Sequence, residues 1–394
     1  MVNETMVGLG KKRSVIREIF EYAKIRSAQI GKENVFDFSI GNPSIPAPAS
    51  VNETLKKLIE ETDSVLLHGY TSAQGALSVR ESVASSVNRR FGQNTNANLI
   101  YMTCGAAASL RISFGALWEE GDELITFAPC FPEYRVFANG AGFKFVLLPS
   151  AVGTLQIDLS VLESAINERT KIVLVNSPNN PSGVIYDESN IVGLTDLLKR
   201  KEKEYGHPIF LVADEPYREL TYGKEVPYLM NYYDDTIVCY SWSKSLSLPG
   251  ERIGYIALCE RMQGVSDVYA AVCGAGRSLG YVCAPALMQY LVERCGEDTS
   301  DIGAYRENRD LLVGGLRSMG YDCIEPDGAF YLFLKSPEED EVAFCERAKK
   351  YELLLVPGGD FGATGYVRVA YCVSKEQIVR SLPAFQKLAD EYFK

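Results

Sequence analysis

An amine, several hydroxyl groups and a guanidinium come together in the segment YSWSKSLSLPGERIGY, residues 240–255. Lys244 stands among serines, and Arg252 follows eight residues later, just after a Pro-Gly step. An amine can act as a nucleophile or a base, and a guanidinium can hold an anion through two parallel hydrogen bonds. A lysine in a polar loop is most often simply solvated, so this segment needs support from other parts of the chain.

Polar segments follow apolar, β-branched runs at several other places in the sequence. CGAAAS (104–109) comes after LIYMT, NSPNNPSG (176–183) after KIVLV, ADEPY (213–217) after IFLV, and SWSK (241–244) after TIVCY. In an open parallel sheet, ligands bind at the carboxyl ends of the strands. We therefore expect these segments to meet at one edge of a sheet.

Each segment also has an ordinary structural explanation when it is taken alone. CGAAAS can bind phosphate at a helix start, but close helix packing explains it at least as well. Asp214 can be a helix cap, and NNPSG is typical of a turn. Arg368, inside the apolar run YVRVAY, either faces solvent or points inward, where it requires an anion. GAGRSLG, residues 274–280, is not a dinucleotide-binding pattern after a strand, and we interpret it as a loop.

Composition excludes several classes of function. The net charge of −11 argues against nucleic acid as a partner, and no apolar run has the length of a membrane span. We find no secretion signal, and the ten cysteines form no CxxC pair, which favours reduced thiols in a cytoplasmic protein. With only His68 and His207, a metal site is poorly supported, and a group other than imidazole is expected to move protons.

The order of apolar and helical segments predicts an α/β fold. After an amphipathic helix (SVIREIFEYAKIRSAQI), short β-branched runs alternate with helical segments from about residue 50 to about residue 285. This alternation is typical of a mostly parallel sheet flanked by helices. Further helices and three apolar runs follow, as in a smaller α+β domain. We predict an N-terminal segment at 1–45 packing with the small domain, a large domain at 46–285, and a C-terminal small domain at 286–394, so that the small domain is discontinuous.

The ordered set NSPNNPSG, ADEPY, SWSKSLSLPGERIGY and YVRVAY resembles the class I/II aminotransferases, fold-type I enzymes that use pyridoxal 5′-phosphate. The resemblance runs from SVIREI near residue 14 to the strand at 366–371, and GAFYLF matches the family's small-domain strand. The lysine motif with PGERIGY is its most specific part. The resemblance implies a seven-stranded, mostly parallel sheet in the large domain, and a homodimer.

The resemblance also implies a role for each polar residue around the cofactor ring. Lys244 bonds to the cofactor aldehyde and later moves the substrate Cα proton as a base. Asp214 pairs with the pyridine nitrogen, Tyr217 and Asn180 bind the ring hydroxyl, and Phe131 stacks on the ring.

The remaining implied contacts hold the phosphate and the substrate. The phosphate is bound by hydroxyls, a guanidinium and backbone N–H groups of Ser241, Ser243, Arg252, Gly105, Ala106 and Ala107, with Tyr70 reaching over from the neighbouring subunit. Arg368, together with Gly41 and Asn180, binds the substrate α-carboxylate.

These assignments predict an aminotransferase that moves the amino group of an α-amino acid to a 2-oxo acid by ping-pong chemistry. Aspartate-like or broad specificity is expected, with Arg111, Arg135 and Arg277 as candidates for a side-chain carboxylate. Relatives often carry a hydroxyl or a lysine where this chain has alanines at 106–108, which leaves the substrate open. A β-lyase or decarboxylase on the same fold is the alternative. A second alternative is a transcription regulator that uses the fold to sense a ligand and has no activity. Such a protein needs a DNA-binding domain, and the thirteen residues before the first motif are too few to form one.

Overall fold

Three sheets and the helices packed on them make up the structure, a computed structural model that describes residues 2–11 and 15–393. The strands are β1 (Phe36–Asp37), β2 (Ile100–Thr103), β3 (Glu123–Ala128), β4 (Lys144–Pro149), β5 (Thr170–Asn176), β6 (Phe210–Asp214), β7 (Thr236–Ser241), β8 (Gly254–Leu258), β9 (Cys323–Ile324), β10 (Tyr331–Lys335), β11 (Leu353–Leu354), β12 (Val356–Pro357) and β13 (Tyr366–Ala370).

The helices surround these sheets. They are α1 (Glu4–Lys11), α2 (Val15–Ile30), α3 (Ala49–Glu61), α4 (Ser64–His68), α5 (Leu77–Phe91), α6 (Ala106–Leu117), α7 (Glu133–Ala141), α8 (Leu159–Ala165), α9 (Glu188–Tyr205), α10 (Trp242–Ser245), α11 (Val265–Ser278), α12 (Ala286–Cys295), α13 (Ile302–Ser318), α14 (Glu341–Lys349) and α15 (Lys375–Ala389). Short 3₁₀ turns lie at Lys32–Asn34, Ala97–Leu99, Leu229–Asn231 and Gly358–Phe361.

The largest sheet has seven strands in the order β2-β8-β7-β6-β5-β3-β4. Strand β8 runs antiparallel to both of its neighbours, and the other pairs are parallel. Val173, Val212 and Val238, in the three central strands, are fully buried. Because helices cover both faces, these strands are continuous apolar runs rather than alternating ones. The predicted α/β fold with a mostly parallel seven-stranded sheet is confirmed.

The same edge of this sheet receives the carboxyl ends of β2, β3, β5, β6 and β7, since these strands share one direction. The four polar segments lie at the ends of β2, β5, β6 and β7, and β3 is followed by the segment that carries Phe131. The sheet thereby brings together residues that lie far apart in the sequence, as the strand-end rule predicts.

A second, antiparallel sheet of order β12-β13-β10-β9 has its own core with α13, α14 and α15, built around Phe330, Phe344 and Phe385. Helix α2 packs on this part of the chain, because Ile19 shares a buried cluster with Phe333. Helix α12 contributes its apolar side chains to the core of the large sheet, against α3 and α5. The division of the chain at residues 45 and 285 stays a prediction.

One local feature differs from the expectations. The segment 274–280 is not a loop, since residues up to Ser278 belong to α11. Its small residues allow close helix packing: a Cβ at Gly276 would overlap the Tyr101 hydroxyl, and Ala275 faces Gly115 of α6. The helix predicted at 14–30 is α2, and Ser14 itself lies outside the described residues. Among the described residues, no helix combines the length and the apolar character that a membrane span requires.

The carboxyl groups of Asp235 and Glu202, at the opposite edge of the large sheet, make the stability of the protein depend on pH. Burial, the charge of Glu202 and a hydrogen bond with Glu202 raise the pKa of Asp235 from 3.8 to about 7. The folded protein therefore binds this proton more tightly than the unfolded chain, so stability falls as pH rises from about 4 to about 7. We expect Asp235→Asn to raise the free energy of unfolding at pH 8.5 by about 1 kcal/mol, since solvent screens this half-buried pair. At pH 5 we expect little change, because Asp235 is then protonated in the folded protein.

Urea unfolding of both proteins at the two pH values measures this effect. Asp196→Asn is the matched control, since Asp196 is an exposed aspartate that pairs with Lys199 at 3.7 Å. If Asp235→Asn changes the free energy of unfolding by the same amount at pH 5 and at pH 8.5, the raised pKa of Asp235 is contradicted.

Candidate active site

A pocket of about 300 Å³ opens at the carboxyl edge of the large sheet, against strands β10 and β13 of the second sheet. Predicted site residues from every one of the polar segments line it. These are Gly41, Ala106, Ala107, Phe131, Asn180, Asp214, Tyr217, Ser241, Ser243, Lys244, Arg252 and Arg368. The fold thus brings together residues separated by more than 300 positions in the sequence.

Lys244 lies in the short helix α10, which directly follows β7. Ser241 begins this helix, because its hydroxyl accepts a hydrogen bond from the Ser243 N–H at 3.0 Å. The lysine Nζ donates to the Gly41 carbonyl at 2.7 Å and lies 5.3 Å from the centre of the Phe330 ring. Burial lowers the pKa of Lys244 to about 8, so a part of the amine is neutral near physiological pH.

Hydroxyl groups, a guanidinium and a helix start converge on one side of the pocket. The Ser241 and Ser243 hydroxyls are 2.7 Å apart, and the Arg252 guanidinium lies 3.4 Å from Ser243 Oγ. Gly105 begins helix α6 with φ 88°, and a Cβ there would come within 2.7 Å of the Arg252 guanidinium. Ala106 follows in the first helical turn, where backbone N–H groups have no partner inside the helix. This group of donors suits an anion such as a phosphate.

Asp214 ends strand β6 with only 5% of its surface exposed. Its Oδ2 accepts a hydrogen bond from the Tyr134 hydroxyl, and its Oδ1 is buried without a partner. Burial raises the pKa of Asp214 to about 7, against the lowering effect of the Tyr134 bond. A buried carboxylate oxygen without a donor is costly, so this atom is suited to a donor that enters the pocket.

Arg368 points inward from β13, which settles the alternative left open by the sequence. It is 2% exposed, donates to Asn180 Oδ1 at 3.1 Å and to the Ser39 carbonyl, and keeps a buried Nε without a partner. Within residues 2–11 and 15–393, no ion pair joins Arg368 to a carboxylate. Burial accordingly lowers the pKa of Arg368, and the aromatic rings of Tyr331 and Phe361 lie under 5 Å from its guanidinium carbon. A buried, unneutralised cation at a pocket indicates an anionic ligand.

Comparison with known proteins identifies the family of the chain. The family described as aminotransferase class I and II matches residues 33–385. The chain belongs to this family. It is 29% identical over 358 residues to the aspartate aminotransferase of Thermotoga maritima, with 89% of this chain and 90% of that protein covered.

Two solved structures are similar over nearly their full length. An aminotransferase from Eubacterium rectale is 56% identical, with all of both chains covered and a TM-score of 0.98. The aspartate aminotransferase of Thermus thermophilus with maleate is 26% identical, with 98% of this chain and all of that chain covered and a TM-score of 0.87. The predicted family, the enzyme class and the pyridoxal 5′-phosphate cofactor are confirmed.

The residues of this aminotransferase fit the cofactor on observations of the structure itself. The orphaned Asp214 Oδ1 can accept from a protonated ring nitrogen, and the partly neutral Lys244 amine can bond to an aldehyde. The glycine at 105 lets the Arg252 guanidinium approach the start of α6, so that side-chain and backbone donors for a phosphate lie side by side. All three features lie around one pocket.

Several predicted residues do not line the pocket of the described chain. Tyr70 is on the surface with 90% of its area exposed, and its contact with a neighbouring subunit stays a prediction. Arg111 donates to the Gly140 carbonyl, Arg135 lies 4.7 Å from the Phe145 ring centre, and Arg277 is exposed on α11. The three arginines therefore do not supply a cation to the pocket within this chain.

Sequence reasoning missed four residues of the site. Ser39 and Asn176 bond to site residues, since the Ser39 carbonyl accepts from Arg368 and the Asn176 amide donates to the Asp214 carbonyl at 2.8 Å. Tyr331 donates to or accepts from the Tyr217 hydroxyl at 2.9 Å, and its own hydroxyl would overlap a Cβ at Gly41. The fourth is Tyr134. Asn176 and Tyr331 lie inside NSPNNPSG and GAFYLF, so the motifs pointed to them.

Proposed function

We propose that this aminotransferase moves the amino group of an α-amino acid to a 2-oxo acid in a ping-pong cycle. The observation that carries the proposal is the shared pocket of a partly neutral amine, Lys244, and a buried cation without an acidic partner, Arg368. Pyridoxal phosphate supplies an electron-withdrawing ring and carries the amino group from the first half-reaction to the second.

Lys244 acts twice in this proposal. Its amine would hold the cofactor through the aldehyde carbon until a substrate amino group displaces it. Once free, the same amine would serve as the base that takes the proton from the substrate Cα and as the acid that returns it. Its pKa of about 8 leaves a part of the amine neutral, which is the form that can attack an aldehyde or accept a proton.

Other side chains hold the cofactor in place. Asp214 Oδ1 accepts from the ring nitrogen and keeps it protonated, and Phe131 covers a face of the ring. Tyr217 and Asn180 bind the ring hydroxyl. The phosphate is held by the hydroxyl groups, the guanidinium and the helix start of Ser241, Ser243, Arg252, Gly105, Ala106 and Ala107. Tyr70 completes that site from the second subunit of a homodimer.

The donor substrate is bound by its α-carboxylate at Arg368, and we propose aspartate-like or broad specificity for its side chain. Two of the relatives are named aspartate aminotransferases, which supports an acidic donor. In the described part of the pocket, Arg368 is the cation left once Lys244 and Arg252 serve the cofactor, and Ile16 and Ile40 add apolar surface. These features support neutral donors as well.

A panel of amino acids tested with 2-oxoglutarate as acceptor examines the reaction and the specificity together. We expect a new 2-oxo acid and glutamate in equal amounts from aspartate or from several donors. Without an acceptor, one equivalent of 2-oxo acid per site should form, as a ping-pong cycle requires. Release of ammonia with pyruvate, or of carbon dioxide, would favour the lyase or decarboxylase instead, and no conversion of any donor would refute transamination.

Arg368→Lys tests the carboxylate site. Lysine keeps the charge but loses the planar fork that holds a carboxylate with two bonds. We expect the KM for amino acid donors to rise about 100-fold, which corresponds to about 3 kcal/mol, while the absorbance of the bound cofactor stays the same. Steady-state kinetics measure this, with Arg261→Lys, an exposed arginine paired with Asp234, as the control. An unchanged KM would assign the carboxylate to another residue.

A further inference from the structure

One oxygen of the Asp214 carboxylate is already engaged inside the protein. Tyr134 donates its hydroxyl proton to Oδ2, and both side chains are buried, with Tyr134 only 1% exposed. Oδ1 lies in the same carboxylate and has no hydrogen-bond partner. The two oxygens are therefore not equivalent. Asp214 lines the pocket, and of its two carboxylate oxygens only Oδ1 is free to accept a hydrogen bond.

We propose that Tyr134 is a positioning residue that holds the Asp214 carboxylate so that Oδ1 alone is offered to the pyridine nitrogen. This inference rests on the proposed role of Asp214. Tyr134 contacts neither Arg368, where the substrate carboxylate is proposed to bind, nor the amine of Lys244.

Geometry supports this task for Tyr134. The terminal torsion of an aspartate is broad, so a carboxylate without a fixed partner can rotate between orientations. The backbone of Asp214 is held by Asn176, whose amide donates to the Asp214 carbonyl at 2.8 Å, and the bond from Tyr134 fixes the remaining rotation. Both ends of this aspartate are thereby anchored before any ligand binds.

The same segment also places the ring-stacking side chain. Phe131 and Tyr134 meet edge to face, with ring centres 5.5 Å apart and an angle of 85°. Phe131 lies in the loop between β3 and α7, and Tyr134 lies in the first turn of α7. A single short segment therefore sets the position of the residue above the ring and of the residue that orients its nitrogen partner.

The charges around Asp214 agree with this geometry. The titratable groups that interact with Asp214 are Tyr134, Glu215, Tyr217 and Cys239. Burial and Glu215 raise the pKa of Asp214, and among these groups the Tyr134 hydroxyl lowers it. Burial and the charge of Asp214 hold the pKa of Tyr134 well above its usual value, so it remains a donor throughout the working range of pH. Without this hydroxyl, a smaller fraction of Asp214 is ionised at neutral pH.

A double-mutant cycle tests the inference with pyridoxal 5′-phosphate binding as the readout. Cofactor-free protein is titrated with pyridoxal 5′-phosphate and followed by absorbance, for Tyr134→Phe, Asp214→Asn and the double variant. Tyr228→Phe is the control, since it removes another buried tyrosine hydroxyl, one that has no hydrogen-bond partner. Thermal unfolding of all variants shows that each one folds.

We expect Tyr134→Phe to raise the Kd about tenfold at pH 7, the size of one hydrogen bond to a charged group. The defect should shrink as pH rises, because Asp214 then ionises without help from Tyr134, whereas a loss of packing alone would be independent of pH. In the Asp214→Asn background, Tyr134→Phe should have no added effect, and Tyr228→Phe should match the parent protein.

The outcomes distinguish a wrong role for Asp214 from a wrong role for Tyr134. If Asp214→Asn leaves the Kd unchanged, the role of Asp214 is wrong and the inference about Tyr134 fails with it. If Asp214→Asn weakens binding but Tyr134→Phe behaves like Tyr228→Phe, only the inference about Tyr134 is overturned. Additive effects in the double variant, or a pH-independent defect, would likewise show that Tyr134 does not act through Asp214.

Discussion

Lys244→Ala is expected to lower the rate of transamination by at least about 10⁴-fold, since it removes the nucleophile and the general base in one step. The folded structure should be little changed, because Nζ makes one hydrogen bond, to the Gly41 carbonyl, and packs beside aromatic rings. The cofactor should still bind without a covalent bond, since the phosphate donors, Asp214 and Phe131 are intact.

Borohydride reduction followed by mass spectrometry provides the direct measurement. The parent protein should carry a reduced cofactor adduct on Lys244, and the variant should carry none on any lysine. Lys199→Ala, at an exposed position of α9, is the control and should behave like the parent protein. A small primary amine added to the Lys244→Ala protein should restore part of the proton transfer, which separates the role as base from the role as anchor. Unchanged turnover in Lys244→Ala would assign the chemistry to another amine.

The pKa of Lys244 adds a pH dependence to this prediction. Because burial lowers it to about 8, the neutral amine increases as pH rises from 7 to 9. Attachment of pyridoxal phosphate to the cofactor-free protein should accelerate over this range. A rate of attachment that does not change between pH 7 and pH 9 would contradict a lysine with a lowered pKa.

The positions of the strands and of most site residues follow from local features of the sequence. The central strands are buried on both faces, so their β-branched runs stand out from the helical segments around them. Because they are parallel, the polar residues after each run must meet at one edge. Asn180, Asp214, Ser243 and Lys244 could therefore be placed in one site from sequence alone.

Other features depend on tertiary packing that no local pattern reveals. Nearly all of strand β13 is buried on both faces, so alternation cannot tell whether Arg368 faces solvent. The contact between Tyr134 and Asp214 joins residues 80 positions apart, and a tyrosine in the first turn of a helix resembles any core residue. Residues 274–278 are helical because glycine and alanine permit close approach to α6, although their composition is typical of a loop.

Asp214→Asn is expected to reduce kcat by about 10²–10³-fold, or about 3–4 kcal/mol, which is within the range lost when one partner of a buried charge pair is removed. The asparagine side chain has nearly the same shape and can still accept from Tyr134. It cannot supply a negative charge to Oδ1, so the ring nitrogen is less readily protonated and withdraws electrons less strongly. The chemical step should therefore suffer more than folding or substrate binding.

Single-turnover measurements isolate that step from binding. Mixing the cofactor-loaded variant with excess donor should show slow conversion of the bound cofactor, with a dependence on donor concentration close to that of the parent protein. Replacement of the cofactor by an analogue whose ring nitrogen carries a permanent methyl group supplies the positive charge without a proton. If Asp214 acts by keeping the nitrogen charged, this analogue should narrow the gap between Asp214→Asn and the parent protein. An equal gap with both cofactors would mean that Asp214 acts by orienting the ring and not through its charge.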